Sequence, residues 1–157
     1  MPGATVRLVG LEELQRKLGR DFKPAMRGAS KAIAAEIQGE IAPYPPATSA
    51  NRPAGPGSRW YERGFGPRWT RKDGSTGGRK TSETLGRRWG IKSHGSIGAV
   101  LGNIASYAPY VHDHEKRAKF HERRGWVSDR EAIEDVERAG TIKRIVRDAI
   151  IAALGGR

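Results

Sequence analysis

The chain should fold as an α+β domain, an antiparallel sheet packed on one side by a long N-terminal helix and a C-terminal helix, with long irregular basic loops. Three observations predict this. Apolar stripes at helical spacing lie near each end of the sequence, the middle alternates apolar and polar residues, and the order of these patterns contains no βαβ alternation. At 157 residues the sequence suits one domain, 1–157, in which 43–80 is an extended, flexible or partner-ordered loop region.

Taken in order, Thr5 to Val9 alternates and reads as a short strand that Gly10 ends. Leu11, Leu14 and Leu18 repeat at helical spacing, and Gly19 closes that short helix. A longer helix is expected from about Lys23 to Ala42. Phe22, Met26, Ala29, Ile33, Ile37 and Ile41 line one face of it, and Pro24 fits its first turn. Pro43 stops the pattern, and five prolines between Pro43 and Gly57 argue for extended chain. Trp60-Tyr61 and Arg68-Trp69-Thr70 are candidate arms of an irregular hairpin, and 72–80 is a basic loop tip centred on an Asp73-Gly74 turn.

Two strands are expected over Leu85–Lys92 and Ser96–Ile104, joined by a turn at Ser93-His94-Gly95-Ser96, with Tyr107–Val111 a third short strand or bend. Ser128-Asp129-Arg130-Glu131 is a capping box opening a helix over Asp129–Arg138. Thr141 is placed to cap the last helix, whose stripe holds Ile142, Ile145, Val146, Ala149, Ile150, Ala153 and Leu154 before Gly155-Gly156 ends it. If that stripe is core, Ile150→Ala should cost ~2–5 kcal/mol, and the runner-up reading of the stripe is an assembly surface.

The composition narrows the function classes. With no cysteine there is no disulfide framework, thiol nucleophile or thiolate metal site. The N-terminal residues do not read as a signal peptide and no segment has the length of apolar residues needed to span a bilayer, so a soluble protein without a membrane partner is expected. The net charge of +12 is uneven. From Arg52 to Lys92 eleven basic residues face three acidic ones, a surplus of eight, whereas from Ser128 onward six acids balance six bases. A polyanion or an acidic neighbouring subunit is the partner this implies for the middle.

Several constellations hold residue types capable of chemistry. His112, His114 and His121, with Asp113, Glu115 and Glu122, gather ligand types suited to zinc or manganese. The metalloprotease spacing is missing, and Arg117, Lys119, Arg123 and Arg124 would repel a cation, so an exposed polar loop is expected with no metal bound. There is no Gly-x-Ser-x-Gly elbow, and Gly74 to Thr81 lacks the order of a phosphate loop. No catalytic residue and no cofactor is expected. The arginines and aromatics of the middle point instead to contact. Arg59, Arg63, Arg68, Arg71, Lys72, Arg79, Lys80, Arg87 and Arg88 are candidates for touching DNA or a neighbouring subunit, and Trp60, Tyr61, Trp69, Tyr107, Tyr110 and Trp126 are candidate assembly aromatics.

Two stretches carry a resemblance. Val6-Arg7-Leu8-Val9-Gly10-Leu11-Glu12-Glu13-Leu14, followed by an alanine-rich helix ending in Ile41-Ala42-Pro43-Tyr44-Pro45, resembles the opening of the small minor tail and tail-completion proteins of long-tailed bacteriophages. Tyr107-Ala108-Pro109-Tyr110-Val111-His112-Asp113, with Phe120-His121 and Gly125-Trp126, is similar to a later segment of the same group. The resemblance implies a non-enzymatic structural protein of the virion neck or tail, present in host cytoplasm during assembly. Its role would be tail completion, termination or connection within a homo-oligomeric six-fold ring, against other neck or tail proteins and packaged DNA. The family brings no catalytic residues. The basic stretch from Arg52 to Lys80 and the His/Arg-rich loop after Val111 depart from its pattern. Alternatives from other classes are a small basic nucleic-acid-binding protein and a metal-dependent hydrolase.

Overall fold

The computed structural model describes residues 4–5, 10–19, 21–46, 69–70, 72–74, 76–77 and 85–155. Its elements run β1 (Ala4–Thr5), α1 (Leu11–Leu18), α2 (Lys23–Ile41), β2 (Trp69–Thr70), β3 (Thr76–Gly77), β4 (Trp89–His94), β5 (Gly98–Asn103), α3 (Ala108–His112), α4 (Lys119–Arg123), α5 (Asp129–Arg138) and α6 (Thr141–Ala153). The chain is α+β, as the patterns predict.

The main sheet is antiparallel, in the order β1-β5-β4. Ala4 faces Leu101 and Thr5 faces Val100, while Ile91 faces Leu101 across the other edge of β5. Residues 6–9 of the expected first strand lie outside the described residues. In β5 the alternation puts Ala99, Leu101 and Asn103 on the buried face.

Onto that face packs α2, which exists where its sequence places it. Pro24 sits in the first turn, where a missing N–H costs nothing. Met26, Ala29, Ile33, Ile37 and Ile41 recur at steps of three and four, and all are buried. The stripe is continued at the helix start by Phe22, which is fully buried. In turn α5 and α6 pack on α2, so one core joins Ile33, Ile37, Ile41, Ala99, Leu101, Ala132 and Val136, with Ile142, Ile145 and Val146 at its margin.

Several boundaries differ from those expected. Leu85–Arg87 is a turn rather than strand, because Leu85 O accepts hydrogen bonds from Arg88 N (3.3 Å) and from Asn103 Nδ2 (2.8 Å). The hairpin turn is Gly95-Ser96-Ile97, so β4 runs two residues further, to His94, and β5 begins two residues later, at Gly98. Trp69–Thr70 pairs antiparallel with Thr76–Gly77 around the Asp73-Gly74 turn, where Gly74 has φ 80. Its other expected arm, Trp60-Tyr61, lies outside the described residues.

Tyr107–Val111 is not a strand. Ala108, Val111 and His112 are buried at helical spacing and Pro109 fits a first turn, so the segment winds into α3. The loop expected after Val111 contains the short helix α4. Thr141 does not cap α6. That position belongs to Gly140, whose φ of 71 lets the chain reverse between α5 and α6, a conformation costly for a residue with a Cβ. The start of α5 is capped as expected: Ser128 Oγ accepts from Glu131 N at 3.2 Å, and Glu131 Oε2 accepts from Ser128 N at 2.7 Å.

Candidate functional site: a basic and aromatic end of the sheet

A second small core lies at the end of the sheet where β4 begins and β5 finishes. It contains Leu85, Ala108, Val111 and Trp126, with Tyr44 and Ala105 packed against it. The proline-rich run thus begins inside the fold. Pro45 is buried, and the Tyr44 ring meets Trp126 edge to face at 4.9 Å. Gly86 packs closely against the Tyr44 ring. Its N–H reaches Tyr44 Oη at 3.4 Å, and a Cβ would stand 3.0 Å from the Tyr44 ring. Within the expected loop region 43–80, Tyr44 and Pro45 thus pack into the fold.

Trp126, expected among the assembly aromatics, is instead turned inward at 6% exposure. Its neighbour His112 is also buried, at 4%, where an exposed histidine loop was expected. Edge-to-face contacts set the His112 imidazole between Trp89 (5.3 Å) and Trp126 (5.4 Å). His112 Nδ1 lies 2.7 Å from Val127 O, so Nδ1 carries the hydrogen and Nε2 is left as an acceptor. Burial holds the His112 pKa below its ordinary value against the opposing pull of the Val127 carbonyl, with His121 and Arg117 adding to the depression. The ring is therefore neutral near pH 7.

His112 Nε2 and Trp89 Nε1 are buried and meet no hydrogen-bond partner among the described residues. Both side chains line a cavity of about 30 Å³, together with Asn103, Asp113 and Asp129 among mainly apolar walls from Ile37, Ile41, Leu101 and Ala108, a volume large enough for one water molecule. The three histidines do not converge. His114 Nδ1 lies 2.9 Å from Asp129 Oδ1, and among the described residues no group of three His, Asp or Glu side chains is arranged to hold a metal ion.

Arg117 ties this region to α5. Its Nη1 donates to Trp126 O at 2.6 Å and to Glu131 Oε2 at 2.8 Å. Burial by itself would raise the Glu131 pKa, but hydrogen bonds from Arg117 and Ser128 outweigh it and leave the carboxyl below its ordinary value. In the sequence Arg117 stands out only as a charge that would repel a metal. Nothing in its spacing announces this role, because its partners are fourteen positions away at Glu131 and a backbone carbonyl at Trp126.

This support presents a surface. Ile104 and Tyr110 are 62% and 61% exposed, and Tyr107 is also exposed, although Ala108, Val111 and His112 of the same short helix point inward. Ile104 N donates to Arg88 O at 3.1 Å, which brings Arg88, next in the chain to exposed Arg87, beside Ile104. Of the expected contact residues, the structure therefore gathers Arg87, Arg88, Tyr107 and Tyr110 at one end of the sheet and adds Ile104. Lys72 is exposed in the β2–β3 turn. Arg59, Arg63, Arg68, Arg71, Arg79, Lys80, Trp60 and Tyr61 lie outside the described residues, as does the side chain of Trp69.

Compared with known proteins, the chain matches no family model, no curated protein and no solved structure. Among the described residues no helix is long and apolar enough to cross a membrane.

Proposed function

We propose that the chain is a non-enzymatic structural subunit of a long-tailed phage virion. It works as one member of a ring at the head–tail joint or tail end, in a completion, terminator or connector role. The observation that carries the reading is the division of the Tyr107–Asp113 segment. Ala108, Val111 and His112 anchor it in the core, while Tyr107 and Tyr110, with Ile104, offer apolar and aromatic area to a neighbour. This is also the segment that bears the tail-completion resemblance. Arg87 and Arg88 beside it favour an acidic partner surface and oppose pairing of this patch with its own like-charged copy. Such a patch suits a head-to-tail contact that closes a ring, in which it meets a different face of the next subunit. The outer edge of β4 pairs with no described strand, and it offers further backbone donors and acceptors to a neighbour.

The test is assembly. Native mass measurement of the purified chain should give a closed oligomer, and antibody labelling should place the chain at the neck or tail of purified virions. A Tyr107→Ser/Tyr110→Ser variant should keep its melting temperature yet lose the oligomer. A monomer at all concentrations together with its absence from particles would refute the reading.

A second reading, a basic nucleic-acid-binding protein, is favoured by the exposed Arg87, Arg88 and Lys92 and the +12 charge. It predicts affinity of the isolated subunit for DNA that falls steeply as salt is raised.

A further inference from the structure

The last helix is more apolar than its own fold requires. In α6, Ile142, Ile145 and Val146 pack at the margin of the core, yet none of its thirteen residues is fully buried. Along the adjoining face Ile142, Val146, Ile150 and Ile151 line an open trough of about 450 Å³ together with Lys143 and Arg147, so Ile142 and Val146 serve both the core margin and the trough. Ile151 is 48% exposed, and Leu154 extends the apolar strip beyond it. The strip from 142 to 151 is about 14 Å long at the helical rise, enough for two to three turns of a second helix.

The charges select the occupant. Lys143, Arg144 and Arg147 are exposed, and of these only Arg147 has an ion pair among the described residues, with the adjacent Asp148 at 3.0 Å. Packing α6 against α6 of a second copy would bring these cations together across a small contact, at a cost that the apolar strip must overcome. The acidic helix of this chain, α5, carries no large exposed apolar residue to enter the trough. What fits is a helix with an apolar stripe at steps of three and four and carboxylates along its flanks, docked as amphipathic helices dock in grooves.

The geometry points to the outer face of α6 as the docking site for an acidic amphipathic helix supplied by a different polypeptide. This contact is separate from the Tyr107/Tyr110 patch and does not depend on the ring reading.

The test uses the whole chain and three short synthetic peptides. The first has leucines at steps of three and four with glutamates between, the second scrambles that composition, and the third replaces the glutamates with lysines. In fluorescence anisotropy the first should bind at least about tenfold more tightly than either other, with a preference that weakens in added salt. Ile151→Asp places its change at an exposed position, so the subunit should melt as the parent does while losing about tenfold or more in affinity. Leu154→Ser should weaken binding in the same direction. Lys143→Glu/Arg147→Glu should transfer the preference to the lysine peptide. Equal binding of the scrambled peptide would show bulk positive charge alone and overturn the proposal. So would failure of all three peptides to bind, or an affinity indifferent to Ile151→Asp. A self-association that Ile151→Asp abolishes, with no peptide preference, would assign the face to a second copy and overturn it as well.

Discussion

At the scale of single residues, His112 governs the response to pH. Its folded pKa lies below the ordinary 6.5 because burial disfavours the cation. As pH falls below about 6.5 the unfolded chain takes up a proton that the folded chain resists, so stability is present above that value and is lost on acidification. The melting temperature should drop from pH 7.5 to pH 5.5, and His112→Phe should start lower but show a flatter slope over that window. The Glu131 contribution has the same sign but a lower window, starting near 4.5 and lost as pH falls through the depressed folded pKa, so the two are separable in one titration. Gly86 offers a second residue-scale test. Gly86→Ala pushes a methyl against the Tyr44 ring, and overpacking of this kind should lower stability by about 1 kcal/mol in a denaturant titration.

At the scale of elements, α2 and α6 have similar apolar stripes and different energetics. Ile33 is fully buried on α2, between the sheet and α5–α6, and Ile33→Ala should cost ~2–5 kcal/mol. Ile150 lies half-buried in the open trough of α6, so Ile150→Ala should cost only about 1 kcal/mol, because partly solvated methyl groups leave no sealed cavity. Ile150 thus stands outside the core cluster it was expected to join. At the start of α5 the two-way bond of Ser128 and Glu131 secures orphan donors, and Ser128→Ala should cost about 1 kcal/mol in equilibrium unfolding.

At the scale of the whole molecule, the fold keeps its stabilising contacts and its contact surfaces on different residues. The core joins α2, β4, β5, α5 and α6, while Ile104, Tyr107 and Tyr110 stand outside it. Replacing Tyr107 and Tyr110 together by serine should change unfolding free energy by less than about 1 kcal/mol, because exposed side chains give up little on removal. Association should respond far more strongly, and sedimentation at several concentrations separates the two effects. Arg87→Glu/Arg88→Glu should likewise leave the fold intact and weaken association with an acidic partner surface, most visibly at low salt.

Much of the architecture was legible in the sequence because it is written in local periodicity. The stripe from Phe22 to Ile41, the capping box at Ser128 and the alternation around Trp89 and Leu101 each reflect which face of an element is apolar. Periodicity is silent on how much of that face a neighbour covers, and so it did not separate the buried stripe of α2 from the half-covered stripe of α6. Nor does it place aromatics. Trp126 and Tyr110 both carry an apolar body and a polar tip, and only the packing of Tyr44, His112 and α3 turned one inward and left the other outside. Arg87, Arg88, Tyr107 and Tyr110 were legible as contact candidates by residue type, but their meeting with Ile104 was out of reach for the same reason. Arg88 and Ile104 become neighbours through a backbone hydrogen bond between segments sixteen positions apart, and long-range pairing of that kind is decided by the tertiary structure alone.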